Sequence, residues 1–362
     1  MNKKSDSYLT EDLVRQMPKT DLHLHLDGSL RIGTILDIAE KQKVKLPTYD
    51  PDKLFELVSM ESNCKSLEDY LKAFEITVSV LQDADSLTRV AYELAEDCAK
   101  ENCRYIEVRY SPILHIKKGL RLTTIIDSVL EGLGTAEKDF GIRSGIIICG
   151  MRNIDPENSI LLAELAVAYK DRGVIGFDLA GAEEHYPAKR HKEAFFLIQN
   201  NNINSTAHAG EGYGPESIAQ AIHYCGAHRI GHGVRLKEDN DLMNYVNDHR
   251  IPLEICMSSN MHTGSVPKIE SHPLRFYYDF GLRVTINTDN RLMSNTTVTK
   301  ELYLAVKYLN FTLQEIKDLI VFGFKSSFLP YRDKVKMLHQ AIDELKQFVD
   351  PKTKVAKIAD KI

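Results

Sequence analysis

Two histidines stand one residue apart near the start of the chain, in the stretch TDLHLHLDGSL (20–30). Successive side chains of a strand point to opposite faces, so His23 and His25 share one face. The leucines of the same stretch are expected to face outward, toward packing helices: Leu22, Leu24 and Leu26. Two imidazoles aimed at one place can bind a metal ion. For a pattern this short, two hydrogen-bonded core histidines are an equally good interpretation.

Three later apolar segments also end in residues that could do chemistry. TAHAGEGYG carries His208 three residues before Glu211, RIGHGVRL carries His232 between two glycines, and TINTDN delivers Asp289. Each residue alone could be a turn histidine, an exposed acid or a helix cap. If the segments end on one side of the fold, however, histidines and a carboxylate meet there. Zn²⁺ accepts such nitrogen and oxygen ligands and leaves a position open for water when it is catalytic.

The elements that must position these residues are short apolar segments, most of them followed by amphipathic stretches. We predict eight strands: 20–26, 105–110, 145–149, 174–179, 203–208, 229–232, 251–256 and 283–288. Eight strands that alternate with helices favour an α/β fold, a closed (β/α)8 TIM barrel, over a doubly wound open sheet. Barrel enzymes place their chemistry at the C-terminal ends of the strands, where the candidate residues fall. We further predict a helical insertion at 31–100, C-terminal helices at 299–362, and one domain over 1–362.

Composition excludes several classes of function. The chain has 362 residues, 43% of them hydrophobic and 27% charged, and a net charge of -5. These values are ordinary for a globular protein and give no reason to expect a nucleic-acid partner. No apolar run reaches about 18 residues and the N-terminus lacks a secretory signal pattern, so no membrane association is predicted. Six cysteines without a C-x-x-C pair are expected to be reduced thiols, which favours a cytoplasmic protein.

In order and in type, the motifs resemble those of the adenosine deaminases of the metal-dependent amidohydrolase superfamily. The resemblance covers nearly the whole chain from about Leu13 and depends on HLHLDGSL, YIEVRYSP, GFDLAGAE, AHAGE, RIGHG, MSSN and INTDN. In close detail the chain is most similar to the malaria-parasite (Plasmodium) branch. The resemblance implies one Zn²⁺ per chain, bound by His23, His25, His208 and Asp289.

The same resemblance implies roles around the substrate. Glu211 matches the residue that protonates purine N1, His232 matches the histidine beside the metal-bound water, and Asp289 has a second oxygen that can accept the proton of that water. The residues implied to contact the substrate are His25, Asp27 near the ribose 5′-hydroxyl, Gly181 at purine N3, and Asn290.

Asn290 departs from the family pattern, which has a second aspartate at this position. An amide can always donate to purine N7, whereas a carboxyl group donates only when it is protonated. Asn290 could therefore keep the contact. A turn asparagine that follows a strand is the alternative interpretation.

The implied reaction is hydrolytic deamination of adenosine and 2′-deoxyadenosine to inosine and ammonia in purine salvage. A metal ion lowers the pKa of a bound water from about 15.7 toward about 7, and an acid at N1 takes up the electron density displaced from the ring. 5′-Methylthioadenosine is a candidate further substrate. The alternatives are an adenine or other purine deaminase and a zinc-stabilised binding protein without catalysis. The expected partner is a small purine nucleoside. The sequence does not predict the oligomeric state, and it is compatible with a monomer.

Two weaker patterns concern support of the barrel. Glu107 and Arg109 in EVRYSP are predicted to form a buried ion pair. The helical spacing of SLEDYLKAFEITVSVL allows two interpretations of Leu67, Leu71 and Phe74, as a roof over the pocket or as core residues.

Overall fold

Eight parallel strands follow one another in sequence order around a barrel. The computed structural model describes residues 8–60 and 67–350, except for the side chains of 67–72. The strands are β1 (Lys19–His25), β2 (Cys103–Tyr110), β3 (Arg143–Met151), β4 (Val174–Ala180), β5 (Asn204–Ala209), β6 (Arg229–His232), β7 (Leu253–Ile255) and β8 (Val284–Ile286). The predicted (β/α)8 TIM barrel is confirmed, with all eight predicted strands in their predicted order.

The barrel closes through Asp289, just beyond the end of β8. The amide of Asp289 donates to the carbonyl of His23 at 2.8 Å, and the amide of His25 donates to the carbonyl of Asp289 at 2.7 Å. Leu24 and Asp289 thereby form a parallel bridge between β1 and the segment after β8. Closing the barrel thus brings Asp289 beside the two histidines of β1.

Helices surround the strands and make up most of the described part of the two predicted helical regions, in which 61–66 and 351–362 lie outside the described residues. The α-helices are α1 (Glu11–Gln16), α2 (Ile32–Gln42), α3 (Pro51–Val58), α4 (Leu67–Val80), α5 (Ala84–Lys100), α6 (Leu122–Phe140), α7 (Pro156–Ala168), α8 (Lys192–Asn200), α9 (Pro215–His223), α10 (Asn240–Asp248), α11 (Met257–His262), α12 (Leu274–Phe280), α13 (Val298–Leu309), α14 (Leu313–Ser326) and α15 (Tyr331–Leu345). Short 3-10 turns lie at Pro112–His115, Lys170–Arg172, Ala188–His191, Val234–Glu238 and Ile269–Ser271. The insertion after β1 holds α2 to α5, and α13 to α15 are the C-terminal helices.

Strands β7 and β8 are shorter than the predicted segments 251–256 and 283–288. A side chain replaces part of the ladder near β8: the amide of Leu22 donates to Oδ1 of Asn287 at 2.9 Å. The regular strand therefore ends at Ile286, although the amide of Asn287 still donates to the carbonyl of Ile255 at 2.9 Å.

The expectation that Leu22 packs outward is wrong. Leu24 and Leu26 belong to the main core, whereas Leu22 packs with Tyr105 and Leu329 in a separate cluster. Tyr105 shares a face of β2 with Glu107, which points into the barrel. The cause is a register shift between Asp21 and Leu24 in the pairing of β1 with β2, which interrupts the alternation of faces.

The predicted pair between Glu107 and Arg109 is also wrong, although both residues are buried in charge pairs. Arg109 contacts Asp178 at 3.2 Å and Glu254 at 3.0 Å. Arg229 contacts Glu254 at 2.6 Å and also pairs with Glu107. Side chains two residues apart on one strand point the same way, so each reaches across to other strands instead of to its neighbour. We call these five residues the ion-pair layer.

Three further expectations concern burial and membranes. Five cysteines in the described part of the chain are free and buried: Cys98, Cys103, Cys149, Cys225 and Cys256. Phe74 is half-buried and packs against the core, whereas Cys64 and the side chains of Leu67 and Leu71 lie outside the described residues. Among the described helices, none has the length and apolar character to cross a bilayer.

Candidate metal centre and active site

Four side chains converge at the C-terminal end of the barrel, and we call them the ligand cluster. Nε2 of His208, on β5, lies 3.0 Å from Nε2 of His23 and 3.1 Å from Nε2 of His25. Oδ1 of Asp289 lies 3.4 Å from Nε2 of His23 and 3.3 Å from Nε2 of His25. All four residues are buried. The structure therefore brings together the whole predicted ligand set.

Buried acids orient two of these imidazoles. Nδ1 of His23 lies 2.8 Å from Oε2 of Glu254, and Nδ1 of His208 lies 3.0 Å from Oδ2 of Asp178. Because a carboxylate accepts, each Nδ1 holds a proton, and in the neutral imidazole Nε2 presents a lone pair to the centre. Three imidazole nitrogens and a carboxylate oxygen that face one another as acceptors fit a divalent cation such as Zn²⁺.

Asp289 is oriented by its backbone and by a serine. Its φ of 61° lies in the left-handed region, which a non-glycine residue adopts at a cost. The hydroxyl of Ser259 donates to Oδ2 of Asp289 at 2.6 Å. Oδ1 is then the oxygen that faces the histidines, and Oδ2, the proposed acceptor of the water's proton, already holds one hydrogen bond.

His232 lies against the ligand cluster at the end of β6. Its ring centroid is 4.8 Å from that of His23 and 5.3 Å from that of His208. Its φ of 64° is again left-handed. The preceding Gly231 leaves room for the ligands, since a Cβ there would lie 3.1 Å from the His23 ring. The RIGHG motif therefore provides both the unusual backbone and the space that the ligand cluster needs.

Glu211 extends the site toward solvent. Its Oε2 lies 3.3 Å from Nε2 of His232, and its side chain is 19% exposed. Its Oε1 accepts from the Thr263 hydroxyl at 2.9 Å and from Nδ2 of Asn260 at 3.3 Å. Burial raises the pKa of Glu211, although His232 opposes the effect. A carboxyl group with a raised pKa can serve as an acid near neutral pH.

A second glutamate holds the loop that carries Glu211. The carboxylate of Glu183 accepts three backbone amides, from Gly210 at 2.8 Å, Glu211 at 2.8 Å and Gly212 at 2.9 Å. Glu183 is buried. It therefore fixes the backbone of this loop and with it the direction of the Glu211 side chain.

The predicted substrate contacts lie at the same end of the barrel. Asp27 follows β1 and is buried, and its Oδ1 has no hydrogen-bond partner among the described residues. Burial raises the pKa of Asp27 to about 7. Gly181 follows β4, with a φ of 95° that suits glycine. Asn290 is buried and packs directly on Gly28, where a Cβ would overlap its amide.

Several residues of the site were missed from the sequence. Asp178 and Glu254 are acids inside apolar strands. When such acids are buried, they must pair with a positive charge or accept hydrogen bonds, here also from metal-binding histidines. Ser259 and Asn260 belong to the MSSN motif, which contributes to the resemblance although no role was assigned to it. Glu183 gave no separate signal, because its partners are backbone amides.

A parallel (β/α)8 barrel with this cluster at its strand ends, beside an acid, is typical of metal-dependent hydrolases. Residues 18–345 match the family model described as adenosine deaminase. The chain belongs to the adenosine deaminase family, whose members are hydrolases that act on C–N bonds.

Relatives agree with this assignment. A probable adenosine deaminase of Dictyostelium discoideum is 44% identical over 326 residues, which are 90% of this chain and 42% of that protein. An adenosine deaminase of Clostridium botulinum is 41% identical, over 91% of this chain and 98% of its own. Among solved structures, adenine deaminase from Arthrobacter aurescens superposes with a TM-score of 0.85 at 27% identity, over 91% of this chain and 99% of that one.

Proposed function

We propose that this chain is a zinc-dependent adenosine deaminase that converts adenosine and 2′-deoxyadenosine to the corresponding inosines and ammonia. The observation that carries the proposal is the convergence of the ligand cluster next to the acid Glu211: Nε2 of His23 and of His25 each lie 3.0–3.4 Å from Nε2 of His208 and from Oδ1 of Asp289. The relatives at 41% and 44% identity that are named for this activity support it.

His23, His25, His208 and Asp289 would hold the zinc ion. Bound there, zinc would supply a nucleophile at neutral pH by lowering the pKa of water. Glu254 and Asp178 keep the imidazoles of His23 and His208 in the tautomer that a metal requires. The metal site therefore depends on the carboxylates of Glu254 and Asp178 as much as on the ligands themselves.

Glu211 donates the proton that the purine ring requires. Addition of water at C6 disrupts the aromatic ring and pushes electron density onto N1, where protonation by an acid stabilises it. Thr263 and Asn260 both bind Oε1, which leaves Oε2 free to carry the proton. His232 is placed beside the same oxygen and stabilises the oxygen that attacks C6.

The ribose and the rest of the base are bound by the other predicted residues. Asp27 accepts the 5′-hydroxyl, and the lone Oδ1 supports this role because a buried polar atom needs a partner. Gly181 donates its amide to purine N3, Asn290 contacts N7, and His25 borders the substrate as well as the metal.

An adenine deaminase is the second candidate, because the Arthrobacter protein with that name shares the fold over nearly its whole length. We favour the nucleoside because Asp27 supplies a site for the sugar. We further propose that the chain is a single-domain cytoplasmic enzyme of purine salvage, of the Plasmodium type, which also accepts 5′-methylthioadenosine.

An ultraviolet absorbance assay of deamination separates these candidates. Zinc-loaded protein is assayed with adenosine, adenine, AMP and 5′-methylthioadenosine as alternative substrates. We expect the highest kcat/KM with adenosine. Preference for adenine would establish the second candidate, and no turnover with any of the four would indicate a binding protein.

A further inference from the structure

A chain of hydrogen bonds runs from a backbone amide of α12 to the ring of His232. The amide of Leu274 donates to Nδ1 of His272 at 3.1 Å. Nε2 of His272 lies 3.3 Å from Oδ1 of Asn260, and Nδ2 of Asn260 lies 3.0 Å from Nδ1 of His232. All three side chains are at least 97% buried, with exposures of 3% for His272, 0% for Asn260 and 1% for His232. Water therefore does not compete for these contacts.

The direction of every bond in this chain follows from its first member. A backbone N–H can only donate, so Nδ1 of His272 accepts and its proton lies on Nε2. His272 is neutral, because burial lowers its pKa to about 3. Its Nε2–H therefore donates to Oδ1 of Asn260, and the amide nitrogen turns toward His232. That nitrogen also can only donate, so Nδ1 of His232 accepts.

Glu211 independently supports this orientation of the Asn260 amide. Nδ2 of Asn260 also lies 3.3 Å from Oε1 of Glu211, a carboxyl oxygen. A flipped amide would bring its oxygen against that carboxyl oxygen and its nitrogen against the N–H of His272. Both contacts would then be repulsive, so the orientation is fixed from two sides.

The remaining nitrogen of His232 faces the reaction site. Its Nε2 has no hydrogen-bond partner of good geometry among the described residues, and it lies 3.3 Å from Oε2 of Glu211. We propose that His272 and Asn260 are positioning residues that fix His232 in its Nε2–H tautomer, so that His232 donates a hydrogen bond to the attacking oxygen and does not act as a base.

This inference rests on the proposed function for the identity of the attacking oxygen, but the tautomer itself does not. A neutral His232 with a proton on Nε2 has no lone pair there to take a proton. Its only lone pair, on Nδ1, already accepts from Asn260. Toward the substrate, the His232 ring can therefore only donate a hydrogen bond, from Nε2–H.

Nitrogen NMR of zinc-loaded protein labelled with ¹⁵N-histidine measures the tautomer directly. The His232 ring is assigned by the signal that disappears in His232→Gln. We expect a protonated Nε2 and an unprotonated Nδ1 in long-range ¹H–¹⁵N spectra. A proton on Nδ1 instead would overturn the inference. Because this measurement needs no turnover, an inactive protein with the expected tautomer would count against the proposed function alone.

Two variants of His272 with the same shape test the chain of hydrogen bonds. In His272→Gln the amide still donates to Asn260, so we expect kcat within a few-fold of the parent. In His272→Glu burial raises the pKa of the introduced carboxyl group, so the two variants are compared at alkaline pH, where this group is ionised and only accepts. The Asn260 amide then turns around and the proton of His232 moves to Nδ1. The loss of one donor in the site should lower kcat by of order 10²–10³ with little change in KM. Equal kcat in the two variants, at equal zinc content, would contradict the relay. If His272→Glu does not fold, the NMR result for the parent protein decides.

Discussion

Two layers of buried polar side chains fill the same barrel. In one layer groups of opposite charge pair with one another, and in the other layer hydrogen-bond acceptors face one another. In the ion-pair layer each arginine faces two acids, with Arg109 at 3.0 and 3.2 Å from its partners. In the ligand cluster above it, nitrogen and oxygen acceptors face one another at 3.0 to 3.4 Å. The carboxylates and guanidinium groups of the first arrangement are paired without any ligand. The second has room for a cation between its acceptors, which repel one another when nothing lies between them.

Two acids of the ion-pair layer also contact histidines of the ligand cluster, so the ion-pair layer orients the ligand cluster. Glu254 binds Arg229 through Oε1, and it binds both Arg109 and His23 through Oε2. Asp178 likewise joins Arg109 to His208. Burial alone would raise the pKa of Glu254, but Arg109 and Arg229 outweigh it and hold the pKa well below its usual range. A permanently ionised Glu254 can therefore keep the Nδ1 proton on His23.

Removal of the metal should have the largest effect, since only the ligand cluster depends on it. We expect chelation to abolish turnover and added Zn²⁺ to restore it, because the nucleophile requires the metal. Far-ultraviolet circular dichroism should stay close to that of the loaded protein, since the ion-pair layer is intact. Full activity in protein shown by elemental analysis to be metal-free would contradict the mechanism.

Arg229→Met tests the other layer. It leaves Glu107 and Glu254 with an uncompensated charge, and breaking a buried pair in this way costs about 3–5 kcal/mol of unfolding free energy. Urea unfolding measures the loss. Lys346→Met is the matched control, because Lys346 and Asp343 form an exposed pair, and we expect no measurable change there. Equal stabilities of the two variants would show that the ion-pair layer is not what stabilises the barrel.

The same layer predicts how stability depends on pH. The pKa of Glu254 is lowered in the folded protein, so its contribution is fully present above the unfolded-state value of about 4.3. It is lost as the pH falls through the lowered folded value. Arg229→Met should therefore lose less stability on acidification below about pH 4 than the parent does.

Glu211→Gln should keep the metal and lose kcat by of order 10² or more, because the amide cannot supply the proton. The parent activity should fall as the pH rises through the raised pKa of Glu211, since only the protonated acid donates. This alkaline limb should disappear in Glu211→Gln. Turnover like that of the parent would mean that another group protonates N1.

The sequence predicts the ligand cluster better than its surroundings, for a physical reason. Strand alternation and the C-terminal ends of parallel strands determine where His23, His25 and His208 point, and both can be read along the chain. The partners of Glu107 and Arg109 lie on β4, β6 and β7, and the closure of the barrel that brings them near is not contained in the local pattern. The relay through Asn260 and His272 depends on two segments after β7 that meet only in the folded chain.

Asp27→Ala should affect the sugar and not the base. The hydrogen bond between a hydroxyl and a carboxylate contributes about 1.5–3 kcal/mol, so kcat/KM for adenosine should fall accordingly. 5′-Deoxyadenosine lacks that hydroxyl and should be affected much less. Equal losses for the two substrates would remove Asp27 from the 5′ subsite.

The smallest effect is expected at Asn290, where the chain leaves its family's pattern. If the amide donates to purine N7, a carbon at that position removes this hydrogen bond, which contributes about 0.5–1.5 kcal/mol. 7-Deazaadenosine should therefore react more slowly than adenosine, and Asn290→Ala should shrink the difference between them. Asn290→Asp keeps the shape that packs on Gly28 but donates only when protonated, so its activity should return toward acidic pH. An unchanged ratio of the two substrates in Asn290→Ala would make Asn290 a turn residue, and another group would then contact N7.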